Sequence, residues 1–281
     1  MSTGTTKAPA TEAVVSEAGP PPHRASMAVS KIAGSVLPPA FMLALFIGAW
    51  ELVVLVQDIS KILLPPPHQI AYLFLDNFSL LARFGRNTAS EALQGVAFSC
   101  AFAIPIAGAS VSVQWLARGL STYSAVVKAI PVVVLFPVAT VFFGVSSPAV
   151  IAIVTVTVFP IMFTYALRGF SSNSELDELM RSISAPRFRR FISLTLPQSS
   201  PYLMAGLKTA VPISLIVAIV SEYFGGSVTT LGSYIRREAA QLHTPNVWSA
   251  ILMSTLLSIA LYSLVSFLDR IVLYWHPSRH G

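Results

Sequence analysis

About six apolar runs make up roughly half of this chain, and each is roughly 20 residues long. A helix needs about 20 mostly apolar residues to cross the hydrocarbon core of a bilayer, so each run predicts a membrane-spanning helix. Charged residues make up only 11% of the chain, whereas a soluble domain carries about 25%. The runs lie at about 35–56, 92–113, 121–144, 147–167, 204–224 and 248–272. The sequence therefore predicts an all-α, polytopic bundle of about six transmembrane helices.

Several of the runs contain proline, among them at Pro105, at Pro131 with Pro137, and at Pro160. Bundled membrane helices tolerate proline because neighbouring helices can satisfy the carbonyl groups that it leaves free. We expect kinks at these residues, which would suit a bundle that opens and closes.

The distribution of lysine and arginine predicts the orientation of the bundle. If the N-terminus is cytoplasmic, the cytoplasmic segments hold about twice as many Lys and Arg residues as the opposite side, as is usual for membrane proteins. An even number of spans then places the C-terminus in the cytoplasm as well. The net charge of +6 follows from this bias, so it does not indicate a nucleic-acid partner. We expect a multi-pass protein of the plasma or inner membrane.

Residues 1–32 differ in composition from the rest of the chain. They are rich in Ala, Pro, Ser and Thr and show no apolar periodicity, which predicts a disordered cytoplasmic tail. Glu12 and Glu17 interrupt the basic region that a secretory signal peptide needs. We therefore expect one transmembrane domain over 33–281, with its core at about 88–272.

A polar, basic insert at 174–197 separates the fourth and fifth apolar runs. Ser174 followed by Asp177 is typical of a helix start, and an apolar stripe with i, i+3, i+4, i+7 spacing follows it. The stripe consists of Leu176, Leu179, Met180 and Ile183, and a second stripe consists of Phe188, Phe191 and Ile192. The residues alone leave two interpretations open: a helix that lies on the membrane surface, and a helix that docks against a partner protein.

The spacing within the insert resembles a loop that permeases of binding-protein-dependent importers carry, with the form E-A-A, three residues, G, nine residues, I-x-L-P. Glu178 stands at the first position, and Leu194 and Leu196-Pro197 stand at the last positions with no insertion between them. Three residues replace the two alanines and the glycine of the motif, and they are Leu179, Met180 and Ser184. The insert thus resembles the coupling loop of such permeases.

Further segments resemble the same family in chain order over residues 50–232. They are Trp50-Glu51, Leu64-Pro65-Pro66-Pro67, Asn87-Thr88 through Gly95, Lys128-Ala129-Ile130-Pro131 with Phe136-Pro137 and Phe143-Gly144, Ala205-Gly206-Leu207-Lys208, and Ser221-Glu222 with Leu231-Gly232. Glu91 stands where an arginine is usual. Together these motifs resemble the transmembrane subunit of a type I ABC importer of the taurine, sulfonate and nitrate branch.

The resemblance implies a permease subunit that works with several partners. Two permease subunits, most simply a homodimer, would surround a central pathway, and two ATP-binding subunits would each receive one insert helix. A solute-binding protein would dock on the opposite face, formed by the loops 57–91, 144–147 and 225–247. The cargo is expected to be a small anionic or heterocyclic solute of the sulfonate, taurine, nitrate or pyrimidine-precursor class. The residues implied in coupling to the ATPase are Glu178, Leu179, Met180, Ser184, Leu196 and Pro197.

Ionisable residues within the apolar runs are candidates for function, since charge is costly inside a membrane. Lys128 and Glu222 are the clearest of them, and Pro131 marks an expected kink beside Lys128. These three residues are candidates for lining the transport pathway, with a structural or interfacial role as the open alternative. Lys128 would favour an anionic cargo.

Two other classes of membrane protein remain as alternatives. A membrane enzyme would need polar catalytic residues within its helices, yet all five histidines lie outside the apolar runs. The chain also lacks the phosphate-binding loop G-x-x-x-x-G-K-[ST] and the zinc motif H-E-x-x-H, so we expect no catalytic centre, cofactor or metal. A free-standing secondary carrier would show an internal repeat, and the sequence has none of clear quality.

Overall fold

A computed structural model gives the fold. It describes residues 24–171, 180, 182 and 186–274, and every regular element within them is helical. The main helices are α1 (Arg24–Val56), α2 (Pro67–Asp76), α3 (Phe78–Ser112), α4 (Gln114–Ala129), α5 (Val132–Phe143), α6 (Ser147–Phe170), α7 (Leu196–Phe224), α8 (Leu231–Ala240) and α9 (Thr244–Val272). A helical turn at Arg187–Arg190 and a π-helical turn at Phe191–Thr195 precede α7. The predicted all-α class is confirmed.

The chain divides into two compact units, Met1–Val53 and Val54–Gly281. Most of α1 belongs to the first unit, and its segment Leu37–Val56 is long and apolar enough to cross a membrane. Within this helix the rings of Phe46 and Trp50 meet edge to face, with their centroids 6.3 Å apart. The helices α2 to α9 belong to the second unit.

Five described helical stretches are long and apolar enough to cross a membrane, or six if one bent pair counts as a single span. The five are Leu37–Val56, Phe78–Val111, Ser147–Phe170, Phe191–Phe224 and Thr244–Val272. The bent pair is Trp115–Ala129 with Val132–Phe143. The prediction of a bundle with about six spans is confirmed.

The third predicted run, at about 121–144, is not one continuous helix, because the chain bends by 102° between α4 and α5. Pro131 has no N–H group with which to continue α4. Ile130 before it is extended (φ −76°, ψ 124°), since a proline disfavours the helical region for the residue that precedes it. By contrast, α3 and α6 continue through Pro105 and Pro160. The kink expected at Pro131 is therefore a full break.

The main core of the second unit surrounds α6, which packs against α3 and α7. Its fully buried side chains include Val150, Val154, Val158, Met162 and Ala166. The facing helices contribute small buried residues, among them Ala92, Ala103 and Ala107 of α3 and Ala210 and Ala218 of α7. At Gly95 of α3, a Cβ atom would lie 2.6 Å from the Cβ atom of Val154. Small residues at such contacts let membrane helices pack closely.

A second, smaller core joins α2, α3, α8 and α9. It consists of Phe74, Leu81, Phe84, Leu231, Tyr234, Ala250 and Met253. The short helices α2 and α8 lie in the segments 57–91 and 225–247, which the sequence interpretation treated as loops. The side chains of Thr230 and Ser233 cap the first turn of α8 reciprocally.

Candidate functional site

A buried polar cluster, which we name the acidic junction, joins four helices beside the second core. It consists of Thr88 and Glu91 of α3, Ser147 of α6, Glu222 of α7, and Thr230 and Gly232 at the start of α8. Thr88, Glu222 and Thr230 are fully buried, and Glu91 is 5% exposed. Buried polar groups are costly unless they are hydrogen-bonded, so the members of this cluster depend on one another for partners.

Glu222 and Thr88 cap the first turn of α8. The Oε2 atom of Glu222 accepts hydrogen bonds from the Thr88 hydroxyl at 3.0 Å and from the Gly232 backbone N–H at 2.9 Å. The Leu231 N–H donates to the Thr88 hydroxyl oxygen at 3.0 Å. The first N–H groups of a helix have no partners within the helix, and a carboxyl group near them complements the helix dipole. The acidic junction therefore determines where α8 begins against α3 and α7.

The start of α8 approaches α7 very closely. A Cβ atom at Gly232 would lie 2.5 Å from the Cβ atom of Glu222 and 2.9 Å from the backbone nitrogen of Tyr223. The turn before α8 is held by Asn87, whose side-chain amide donates to the carbonyl oxygen of Thr229 at 2.8 Å. The motif segments that contain Asn87, Glu222 and Gly232 are separate in the sequence, yet they meet in space.

Glu91 adds a second acid to the junction. Its Oε1 atom accepts a hydrogen bond from the Ser147 hydroxyl at 2.5 Å, and it lies one helical turn after Thr88, whose hydroxyl donates to Glu222. The sequence interpretation noted Glu91 only as a departure from a motif, and it missed Ser147. The available signal was an acidic residue at the edge of an apolar run, which is a costly position for charge.

Lys128 and Pro131 lie away from the acidic junction. Lys128 is an exposed residue in the last turn of α4, and its Nζ atom lies 3.5 Å from the Thr164 hydroxyl of α6. Pro131 is exposed at the break between α4 and α5. Thr164 and Ser147 are separated by about 25 Å along α6, so Lys128 and Glu222 lie at different depths of the bundle. Their role in lining a pathway stays a prediction.

The insert at 174–197 is described only in part. Its described coupling candidates are Met180, which is helical and half-buried, Leu196, which is 38% exposed, and Pro197, which is half-buried in the first turn of α7. The candidates Glu178, Leu179 and Ser184 lie outside the described residues. The coupling role of the insert stays a prediction.

An aromatic contact joins the end of the insert to the main core. Phe191, in the π-helical turn before α7, has its ring centroid 5.4 Å from that of Phe170 at the end of α6. A Cβ atom at Gly108 of α3 would lie 3.4 Å from the same Phe191 ring. Phe191 therefore connects the second half of the insert with both α3 and α6.

An ion pair links α7 and α9 within the membrane-spanning stretches. The Nζ atom of Lys208 lies 2.8 Å from the Oδ2 atom of Asp269, and the two side chains are 30% and 10% exposed. The sequence interpretation quoted Lys208 within a motif and missed Asp269. Opposite charges in two apolar runs were the available signal, since ionisable residues inside a membrane usually pair.

Comparison with known families decides what kind of protein this is. The family described as binding-protein-dependent transport system inner membrane component matches residues 95–274. This chain belongs to that family. The matched range contains the insert, α7 and α8, whereas Thr88 and Glu91 of the acidic junction lie just before it.

Two relatives illustrate the range of this transport family. The formylaminopyrimidine transport permease ThiX of Halalkalibacterium halodurans is 31% identical over 153 residues, which are 54% of this chain and 61% of ThiX. The chain thus spans less than two thirds of that relative. The riboflavin transport system permease RibX of Chloroflexus aurantiacus is 27% identical over 245 residues, or 86% of this chain and 90% of RibX. Further matches to permeases named for aliphatic sulfonates and nitrate confirm the predicted branch.

A solved transporter shares the fold. A chain from inward-facing crystals of the MetNI methionine ABC transporter superposes with a TM-score of 0.60 and 15% sequence identity. The superposition covers 70% of this chain and 98% of that chain. The predicted importer transmembrane fold is confirmed.

Proposed function

We propose that this protein forms the membrane path of an ATP-driven importer for a small solute. The family match over residues 95–274 carries the proposal, and RibX supports it over most of the chain. ATP hydrolysis would take place in two separate partner subunits, and a solute-binding protein would deliver the cargo. The relatives are transport permeases, so we assign the chain no catalytic centre of its own.

The proposed cargo is a small heterocyclic or anionic solute. ThiX and RibX are named for formylaminopyrimidine and riboflavin, which are heterocycles, and the sequence motifs resemble those of the sulfonate, taurine and nitrate branch. The exposed cation Lys128 beside the α4–α5 break favours an anionic group on the cargo. Uptake of each solute class into proteoliposomes that hold the full complex tests this proposal. ATP-independent uptake, or uptake of none of these classes, would contradict it.

The proposed contact with the ATP-binding subunit is the insert at 174–197. The motif spacing supports this contact, and so does the partial exposure of Met180 and Leu196. The packing of Phe191 against Phe170 gives a physical route from the insert to the core. A force on the second half of the insert would reach α3 and α6 through this contact, because packed side chains deform little.

A charge-reversing double variant tests the coupling. Glu178→Arg with Leu179→Asp should lower solute-stimulated ATP hydrolysis and uptake at least about tenfold, because the first change reverses a charge and the second places a charge in the apolar stripe. The protein should remain inserted in the membrane. Glu175→Arg is the matched control, since it reverses one charge in the same segment outside the motif. Normal coupled uptake by the double variant would remove the insert from the ATPase contact.

The proposed working form is a homodimer with the pathway between the two copies. One chain offers one insert, whereas two ATP-binding subunits need two. Large apolar side chains of α5 are exposed and are available to a second copy or to lipid, and they include Val134, Val141 and Phe142. We place the pathway beside α4, α5 and α7, the helices of Lys128 and Glu222, with Pro131 at the break between α4 and α5. Mass measurement of the solubilised complex should give two identical permeases, and a different second permease would refute the homodimer.

The proposed orientation has both chain termini in the cytoplasm and the acidic junction at the outer end. In a Cys100→Ala background, which has no other cysteine, Val228→Cys should react with a membrane-impermeant reagent added outside. Val228 is 67% exposed before α8. The binding protein would dock beside α8, where Arg236 and Arg237 are exposed. Unchanged affinity for the binding protein after charge reversal at both arginines would exclude them from the contact.

A further inference from the structure

Two acidic side chains from distant parts of the chain meet in the acidic junction. Glu222 of α7 accepts a hydrogen bond from Thr88 of α3, and Glu91 lies one helical turn after Thr88 on the same helix. Glu222 is fully buried and Glu91 is 5% exposed. Two carboxylates that share a buried site cannot both ionise without a large cost, because like charges repel and burial strips away their water.

The hydrogen bonds of the pair leave one oxygen of each acid without a donor. Oε2 of Glu222 and Oε1 of Glu91 accept hydrogen bonds from Thr88, Gly232 and Ser147. Within the part of the chain that the structure describes, no donor reaches the Oε1 atom of Glu222 or the Oε2 atom of Glu91. A single proton between the two carboxyl groups would satisfy both of these atoms at once.

No basic residue in the described part of the helices around the pair neutralises it. α5 contains no ionisable residue, and α6 contains no acidic or basic residue before Arg168. On α3 and α8 the neighbouring cations Arg86, Arg236 and Arg237 are exposed. On α7 the cation Lys208 is paired with Asp269. The charge of Glu222 is therefore balanced by hydrogen bonds and not by a cation.

We propose that Glu91 and Glu222 hold one proton between them, and that this proton keeps the junction of α3, α6, α7 and α8 closed. The proton would make one carboxyl group the donor to the other. Its loss would leave two negative charges facing each other at the point where Glu222 caps α8 through Gly232 and Thr88. The start of α8 would then separate from α3.

The dependence of stability on pH tests the proposal in the purified full-length protein. The folded protein would bind one more proton than the unfolded chain, in which both glutamates ionise above about pH 4.3. Stability should therefore fall as pH rises, and the unfolding equilibrium constant should increase about tenfold per pH unit until the proton leaves. Glu91→Gln should remove this slope, since its amide group donates to Glu222 permanently.

Two further variants control the measurement. Asp76→Asn removes an exposed carboxyl group at the end of α2 and should leave the slope unchanged. Glu91→Arg introduces the arginine that is usual at this position of the family motif. It should remove the dependence of stability on pH by forming an ion pair with Glu222. Equal slopes in the wild type and in both Glu91 variants would overturn the proposal.

Infrared spectroscopy of the wild type gives an independent test that needs no variant to fold. The band of a protonated carboxyl group should persist at neutral pH and disappear as the pH is raised. A spectrum without such a band at neutral pH would overturn the proposal. A wild-type stability that rises with sodium chloride and not with potassium chloride would also overturn it, because a sodium ion would then occupy the pair.

Discussion

The acidic junction and the Lys208–Asp269 pair bury ionisable side chains in the same bundle by opposite means. In the junction, two acids and several hydroxyl and N–H groups form a cluster that is almost completely buried. In the ion pair, a cation meets an anion at 2.8 Å, and Lys208 keeps 30% of its side chain exposed. A buried charge can thus be balanced by hydrogen bonds from a helix start where no cation is near. The stability of such a site depends on how closely its helices pack, whereas the stability of an ion pair depends on the opposite signs of its two charges.

The largest expected effect comes from removing the acceptor of the junction. Glu222→Ala leaves the Gly232 N–H and the Thr88 hydroxyl without their carboxyl partner. We expect the free energy of unfolding to fall by about 3–5 kcal/mol, since each unsatisfied buried group costs about 1–3 kcal/mol. Denaturant unfolding in detergent measures this loss. Glu222→Gln is the control and should cost much less, because its amide oxygen can accept both hydrogen bonds. Equal losses for the two variants would show that hydrogen bonding does not hold the junction.

A smaller effect is expected from one methyl group at the start of α8. Gly232→Ala would place a Cβ atom 2.5 Å from that of Glu222, so α8 must move away from α7. We expect a loss of about 2 kcal/mol, as is typical of overpacking. Gly119→Ala in α4 is the control, because nothing lies within 4 Å of the added Cβ atom there. Thermal unfolding of both variants provides the measurement, and a Gly232 variant as stable as the Gly119 variant would contradict the packing argument.

The smallest effect is expected at the ion pair. Lys208→Ala should cost about 1–2 kcal/mol, less than at a fully buried pair because 30% of the lysine side chain is exposed. The double exchange Lys208→Asp with Asp269→Lys should restore part of the stability, since it keeps the charges opposite. If the double variant is no more stable than Lys208→Asp alone, packing and not charge determines this contact. The ion pair and the acidic junction would then both depend on packing.

Local properties of the chain account for the correct parts of the sequence interpretation. Hydrophobicity adds up along consecutive residues, so the spans could be predicted from composition within windows. The motif spacing identified the family because, like hydrophobicity, it can be read along consecutive residues of the sequence. The break at Pro131 could not be predicted in the same way, because Pro105 and Pro160 lie in helices that continue. Whether a helix continues through proline depends on the neighbours that satisfy its free carbonyl groups.

The sequence by itself determined the helical class, the approximate number of spans and the family, and it marked Glu222 as an ionisable residue in an apolar run. Only the tertiary structure decided what surrounds Glu222. Thr88 lies 134 residues away in the chain, and Ser147 of α6 joins the same cluster through its hydrogen bond to Glu91. Such partners depend on the depth and rotation at which packed helices meet, because side chains on different helices become neighbours only after packing. Periodicity along one helix contains no information about that register, so the acidic junction became visible only in the folded chain.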